Sequence, residues 1–154
     1  MSARTLDRKK AEPIANGLNR YLASTYLLLL KTQNFHWNIT GEHFYSYHNL
    51  LEDQYKDLQD AVDELAERVR KVGFLALGSF SQFSKVADIK ESTKPCKSRE
   101  MLTSLLSDHQ TMADLAKDLI KLFQSKGDEA SADLLVSRLH AHDKAIWMLS
   151  ATLS

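Results

Sequence analysis

The 154 residues predict an all-α protein, a bundle of four long helices that forms one domain. Three observations favour this fold class. A segment without Gly or Pro runs between Gly41 and Gly73, and its apolar residues alternate three and four positions apart. Three further segments show the same helical periodicity. The length, with 44% hydrophobic and 26% charged residues, suits a single soluble domain with its own core.

Residues 1–10 are predicted to form a flexible basic N-terminal arm, and residues 11–154 the bundle domain. The arm has little apolar content, and its cations could contact DNA phosphates. These cations are Arg4, Arg8, Lys9 and Lys10. A solvated terminus without a partner is an equal interpretation, because Asp7 interrupts the charge run. The whole chain has 20 basic and 20 acidic residues, so its bulk charge does not indicate nucleic acid.

The first helix is predicted to begin near Pro13, which suits a first helical turn, and to carry His36 at its C-terminal end. A turn that ends at Gly41 then leads to the second helix. The two helices should therefore pack antiparallel.

The second helix carries most of the candidate functional residues. Its predicted buried stripe consists of Phe44, His48, Leu51, Tyr55, Leu58, Val62, Leu65 and Val69. At about 100° per residue, one flank of this stripe holds His48, Glu52, Asp63 and Glu67. The carboxylates expected on the opposite, solvated face are Glu42, Asp53, Asp57, Asp60 and Glu64.

A long connection follows Gly73 and continues to about Lys97, which predicts a crossover from one end of the bundle to the other. A short helix around residues 80–87 should bury its aromatic residues against the bundle or a two-fold partner. The third helix is predicted to begin at Ser98 and end at Gly127. The fourth is capped by Asp128 or Ser131.

The flanking residues of the second helix form two half-sites for a metal. His48 and Glu52 are four residues apart, as are Asp63 and Glu67, but His48 and Glu67 are about 28 Å apart along the axis. No Glu is followed by His three residues later, so the usual di-iron pattern within one subunit is absent. A two-fold axis would run this helix antiparallel to its copy and bring the half-sites together. Spacing alone leaves open a bland interpretation, a core histidine with carboxylates that face water.

Several motifs together resemble the signature of the Dps family, the mini-ferritins of the ferritin-like superfamily. They are Asn34-Phe35-His36-Trp37-Asn38, Gly41, Phe44, His48, Glu52, Asp63-Glu64-Leu65-Ala66-Glu67-Arg68 and Trp147-Met148. The resemblance covers nearly the whole chain and implies a ferritin-like four-helix bundle. It also implies an inter-subunit ferroxidase centre formed by His36 and His48 of one subunit with Glu52, Asp63 and Glu67. At the position of Glu52 the family often has Asp. Both residues provide a carboxylate ligand, but the side chain of Glu is longer.

The resemblance further implies a homo-oligomer, a hollow dodecamer built from two-fold dimers. Such a shell would oxidise Fe(II), preferably with hydrogen peroxide, and store Fe(III) as a mineral. Zinc could also occupy these ligands. The family's acidic pores, which admit Fe(II), would include Asp128, Glu129 and Asp133. From the sequence alone, the dipole of the fourth helix explains these residues better. Trp37 is expected either in the core or near the metal.

Two other classes of function remain open on the sequence: a structural protein that binds and compacts DNA, and a metal-free helical interaction protein. His109 and His142 lie on inward stripes and are interpreted as core or interface residues, while His140 and the loop thiol of Cys96 receive no assigned role. The apolar segments are too short to span a membrane. We therefore expect a cytoplasmic protein, associated with the nucleoid if it binds DNA.

Overall fold

The computed structural model describes residues 7–154, which form five helices and no strand. The helices are α1 (Arg8–Asn38), α2 (Phe44–Val72), α3 (Phe80–Val86), α4 (Ser98–Ser125) and α5 (Glu129–Leu153). α1 packs along α2 and α4 packs along α5, and the two pairs meet mainly through α1 and α4. The prediction of an all-α four-helix bundle, with a short helix in a long crossover, is confirmed.

The first helix begins earlier than the sequence predicted. The Asp7 carboxylate accepts a hydrogen bond from the Lys9 amide at 3.2 Å, so α1 begins at Arg8 and Pro13 lies inside it. Residues 8–10, predicted as part of a flexible arm, are therefore helical. The Arg8 guanidinium also lies 5.8 Å from the centre of the Phe74 ring. Arg4 and the rest of residues 1–6 lie outside the described residues.

Gly17 allows α1 and α4 to approach closely. A Cβ atom at this position would lie 2.9 Å from Leu119 Cδ2 and 3.0 Å from Phe123 Cε1. A larger residue would force these buried side chains to move. Glycine lowers the stability of the helix itself, but at this position it allows close packing between α1 and α4.

The buried face of α2 is rotated relative to the predicted stripe. Its buried residues are Leu51, Gln54, Leu58, Ala61, Leu65, Val69 and Val72. Tyr55 and Val62, which the stripe included, are only half-buried, and Phe44 is 41% exposed. The single subunit therefore leaves one flank of α2 partly uncovered, on the side of His48.

The crossover is held against α1. The Phe83 ring is buried and stacks on Tyr26 with 4.9 Å between centroids, whereas Phe80 remains 67% exposed. Asp88 accepts hydrogen bonds from the Arg20 guanidinium at 2.7 and 2.8 Å. The bundle of the subunit thus buries Phe83, and burial of Phe80 against a two-fold partner stays a prediction. None of the helices in residues 7–154 is long and apolar enough to cross a membrane.

Candidate metal centre

His36 and His48 form a reciprocal pair at the end of the bundle where α1 turns into α2. Their rings stack with 3.7 Å between centroids and 14° between planes. His36 Nδ1 lies 2.8 Å from the backbone oxygen of His48, and His48 Nδ1 lies 2.7 Å from the backbone oxygen of His36. A carbonyl oxygen only accepts, so each Nδ1 must carry the proton. In the neutral form of each ring, the lone pair is therefore on Nε2.

This tautomer suits metal binding. Histidines that bind metals usually donate their other N–H to a carbonyl or carboxylate, which fixes the ring and makes the ligating nitrogen more basic. Neither Nε2 atom has a hydrogen-bond partner within residues 7–154. Aromatic rings surround the pair: Tyr55 meets His36 edge-on at 5.0 Å, and Phe44 stacks on His48 at 5.0 Å. The pair is thus preorganised as two nitrogen ligands in a partly dry environment.

Glu52 lies one turn after His48 and contributes a carboxylate close to the histidine pair. Its Oε1 atom pairs with Lys56 Nζ at 2.7 Å. The hydrogen bond from Lys56 lowers the pKa of the Glu52 carboxyl, and the charge of Lys56 acts in the same direction. The carboxylate is therefore ionised at neutral pH, although a metal would compete with Lys56 for it.

Asp63 and Glu67 lie at the other end of the same helix face. α2 is continuous over this span, so about 28 Å separates His48 from Glu67. Both carboxylates are exposed and form no ion pair with any residue from 7 to 154. Over this part of the chain, no three His, Cys, Asp or Glu side chains are grouped so that one metal ion could bind them. The subunit thus pairs His36 with His48, places Glu52 one helical turn further along α2, and leaves Asp63 and Glu67 apart.

An apolar groove of about 300 Å³ lies beside α2 at the end that carries Asp63 and Glu67. Its α2 wall is formed by Val62 and Ala66, both half-buried. The remaining lining residues come from α1, the crossover and α3, and include the exposed Phe80. The groove therefore continues the uncovered flank of α2.

The three acidic residues at the start of α5 differ in their surroundings. Asp128 is only 5% exposed, accepts from the Ser131 amide at 3.0 Å and pairs with Arg68 at 2.8 Å. Its carboxylate is thus occupied as a helix cap and as a link between α2 and α5. Glu129 and Asp133 are exposed. Of the three candidate pore residues, these two have carboxylates without an ion-pair partner among residues 7–154.

The sequence did not reveal that His109 and His142 form a pair. Their Nδ1 atoms lie 2.8 Å apart in the bundle core, where His109 is 2% exposed and His142 is fully buried. The only indication of this pair in the sequence was that each histidine lies on the inward face of its helix. Trp37 is 61% exposed, so its expected role as a core aromatic of the subunit is wrong.

The fold and the site define the class of protein. The family model described as a ferritin-like domain matches residues 15–154. A DNA protection during starvation protein of Brevibacillus brevis is 33% identical, with 88% of this chain and 91% of the relative covered. A low-temperature-induced protein of Nostoc is 34% identical, with 94% and 82% covered.

Solved structures agree with these relatives. The crystal structure of a Dps protein from Vibrio cholerae O1, described as a member of a broad superfamily of ferritin-like diiron-carboxylate proteins, superposes with a TM-score of 0.92. It is 34% identical, with 97% of this chain and 94% of the other covered. The chain therefore belongs to the Dps family of ferritin-like proteins, as the resemblance of its motifs indicated.

Proposed function

We propose that the protein oxidises Fe(II) at a centre shared by two subunits and stores the Fe(III) product as a mineral inside a hollow homo-oligomer, a dodecamer built from two-fold dimers. Removal of Fe(II) and peroxide would protect DNA from oxidative damage. The observation that carries this proposal is the His36–His48 pair, which has both Nδ1 atoms fixed by carbonyl oxygens. A neutral imidazole fixed in this way is a ready ligand for Fe(II) or Zn(II).

The partner subunit would supply the missing carboxylates. The centre of α2 between the two half-sites falls near Leu58, and a two-fold axis there would place Asp63 and Glu67 of one copy opposite His48 and Glu52 of the other. The apolar groove and the exposed Phe80 lie on this flank, where a partner would cover them. Each dimer would then contain two identical centres.

The ligand set supports oxidation of iron. Imidazole nitrogen suits Fe(II), and the hard carboxylate oxygens of Glu52, Asp63 and Glu67 favour the more highly charged Fe(III). With hydrogen peroxide as the oxidant, two Fe(II) ions give one electron each. One peroxide and two protons then yield two water molecules, so that the O–O bond breaks without release of hydroxyl radical. Glu129 and Asp133, both exposed at the start of α5, would line the pores through which Fe(II) enters.

The rate of Fe(II) oxidation tests this proposal. We would add hydrogen peroxide anaerobically to the Fe(II)-loaded native protein and to a His36→Ala, Asp63→Ala double variant of the same assembly size. A Glu64→Ala variant, which changes an exposed carboxylate on the far side of α2, is the matched control. The proposal expects fast oxidation in the native protein and the control, and a large loss in the double variant. Equal rates in all three proteins would remove these residues from the mechanism.

A second candidate function is structural, the binding and compaction of DNA. Lys9 and Lys10 are exposed in the first turn of α1, and an oligomer would present many copies of them. Individually weak phosphate contacts would then add up to useful affinity. The relative from Brevibacillus brevis is named for DNA protection.

A further inference from the structure

A cavity of about 170 Å³ opens between α2, α4 and α5, on the side of α2 that faces away from the His48 flank. Its apolar wall consists of Leu50, Ala141, Ala145 and Met148. Its polar residues are Asp53, Gln54, Asp57, His109 and Lys144. The space is large enough for several water molecules or one small organic molecule. None of the proposed iron ligands lines it.

Two buried side chains in this wall have polar atoms without a hydrogen-bond partner among residues 7–154. Gln54 is 8% exposed, and neither its Oε1 nor its Nε2 atom has a partner within residues 7–154. His109 is 2% exposed, and its Nε2 atom is likewise unpaired over the same residues. Buried polar groups of this kind destabilise a fold unless something else satisfies them. Leucine at position 54 would fill the same space at less cost.

The His109–His142 hydrogen bond restricts the hydrogen-bonding character of the cavity. One Nδ1 atom must donate and the other accept across the 2.8 Å contact, so the two rings have opposite tautomers. His109 Nε2 can then either donate or accept a hydrogen bond, but it cannot do both. The side-chain amide of Gln54 provides both a donor, Nε2, and an acceptor, Oε1. The cavity therefore offers at least one donor and one acceptor in an apolar enclosure.

The charges around the cavity are nearly balanced. Asp57 is held by the Arg138 guanidinium at 2.8 and 3.1 Å, and Asp53 and Lys144 carry opposite charges at the surface. The buried groups that face the interior, Gln54 and His109, are uncharged amide and imidazole. The opposite charges of Asp53 and Lys144 compensate one another, and Asp57 is already paired with Arg138, so an ionic ligand would lose its hydration here for little net attraction. An uncharged ligand avoids this cost.

From these features we propose that the cavity binds a small uncharged molecule that both donates and accepts hydrogen bonds, of the size of a primary amide. Gln54 provides the main contacts, and His109 Nε2 provides a further one. The apolar wall contacts the hydrocarbon part of the ligand. This site is separate from the iron centre and does not depend on it.

Saturation-transfer NMR with acetamide as the probe tests the proposal, because the large assembled particle transfers saturation efficiently to a weakly bound ligand. We expect transfer to the acetamide methyl group in the native protein. Gln54→Leu should reduce it at least about fivefold, as loss of a hydrogen bond predicts. Gln59→Leu changes an exposed glutamine on the same helix and should leave the transfer unchanged.

A stability measurement accompanies the binding assay. Without acetamide, Gln54→Leu should raise the thermal midpoint, because it removes two unpaired buried atoms. Ala145→Val narrows the cavity from α5 and should also reduce saturation transfer. If one of the two variants does not assemble, the other still tests the proposal. No transfer to acetamide in the native protein would overturn the proposal and leave a site for water only. Equal transfer in the native protein and an assembled Gln54→Leu or Ala145→Val variant would also overturn it.

Discussion

Acid should destabilise the bundle through the buried His109–His142 pair. Burial lowers the pKa of His109 from 6.5 to about 4, and the Arg138 cation acts in the same direction, while Asp57 opposes it. Burial also lowers the pKa of His142, with His109 and Arg138 as further causes. Tyr21 is a further titratable neighbour, with its ring edge-on to His142 at 6.3 Å, and Asp53 and Lys144 line the same cavity as His109. Protonation of either ring would place a cation beside Arg138 in the core.

The magnitude follows from the difference in proton uptake between the two states. The unfolded chain protonates His109 near pH 6.5, whereas the folded chain protonates it only near pH 4. The stability associated with the neutral ring is therefore fully present above pH 6.5 and is lost as the pH falls toward 4. A difference of about 2.5 pKa units corresponds to about 3 kcal/mol. His142 adds to this loss in the same direction.

The assay compares the native protein with a His109→Leu, His142→Leu double variant. Both partners of the hydrogen bond are removed together, so the variant should fold with similar stability at pH 7. Denaturant unfolding at one fixed protein concentration is measured at pH 7, 5.5 and 4. His140→Leu, which changes an exposed histidine on α5, is the control.

The difference between native and double variant isolates the pair, because both proteins share every other titrating group. We expect the free energy of unfolding of the native protein to fall by at least about 3 kcal/mol more than that of the variant between pH 7 and pH 4. The His140→Leu control should follow the native curve. Parallel pH curves for all three proteins would refute the argument.

Three further predictions follow from other charged groups. Asp128→Asn should lower the free energy of unfolding by about 1–3 kcal/mol, because it removes the charge that pairs with Arg68, although asparagine can still cap the helix. Thermal unfolding at neutral pH measures this loss, and an unchanged midpoint would contradict it. A Glu129→Gln, Asp133→Asn double variant should take up Fe(II) more slowly into an intact assembly, and uptake at the native rate would exclude these residues from an entry path. A Lys9→Ser, Lys10→Ser double variant should retard DNA less in a gel at low salt, and a native protein that causes no retardation at all would end the DNA-binding proposal.

The parts of the fold that depend on local signals were predictable from the sequence. α2 was predicted because its periodicity is uninterrupted between Gly41 and Gly73, and Gly73 adopts φ 101°, which glycine tolerates. The crossover and its short helix were predicted from a break in this pattern. The start of α1 differs from the prediction. Pro13 suits the first turn of a helix, but the Asp7 cap makes the helix begin five residues earlier, at Arg8.

Features that depend on tertiary contacts could not be predicted. The His109–His142 bond joins residues 33 positions apart, and the Arg68–Asp128 link joins residues 60 apart. No local pattern specifies which of several inward residues meet. The exposure of Trp37 likewise depends on which surfaces the subunit covers by itself.

The most direct test of the shared iron centre is complementation between two inactive variants. His36→Ala and Asp63→Ala subunits are unfolded, mixed in equal amounts and reassembled, and Fe(II) oxidation by peroxide is compared with each variant alone. In a mixed dimer one centre carries both lesions and the other carries neither, so random pairing restores about a quarter of the centres. We predict oxidation at about that fraction of the native rate. No activity above that of the separate variants, in mixed assemblies of native size, would contradict an inter-subunit centre.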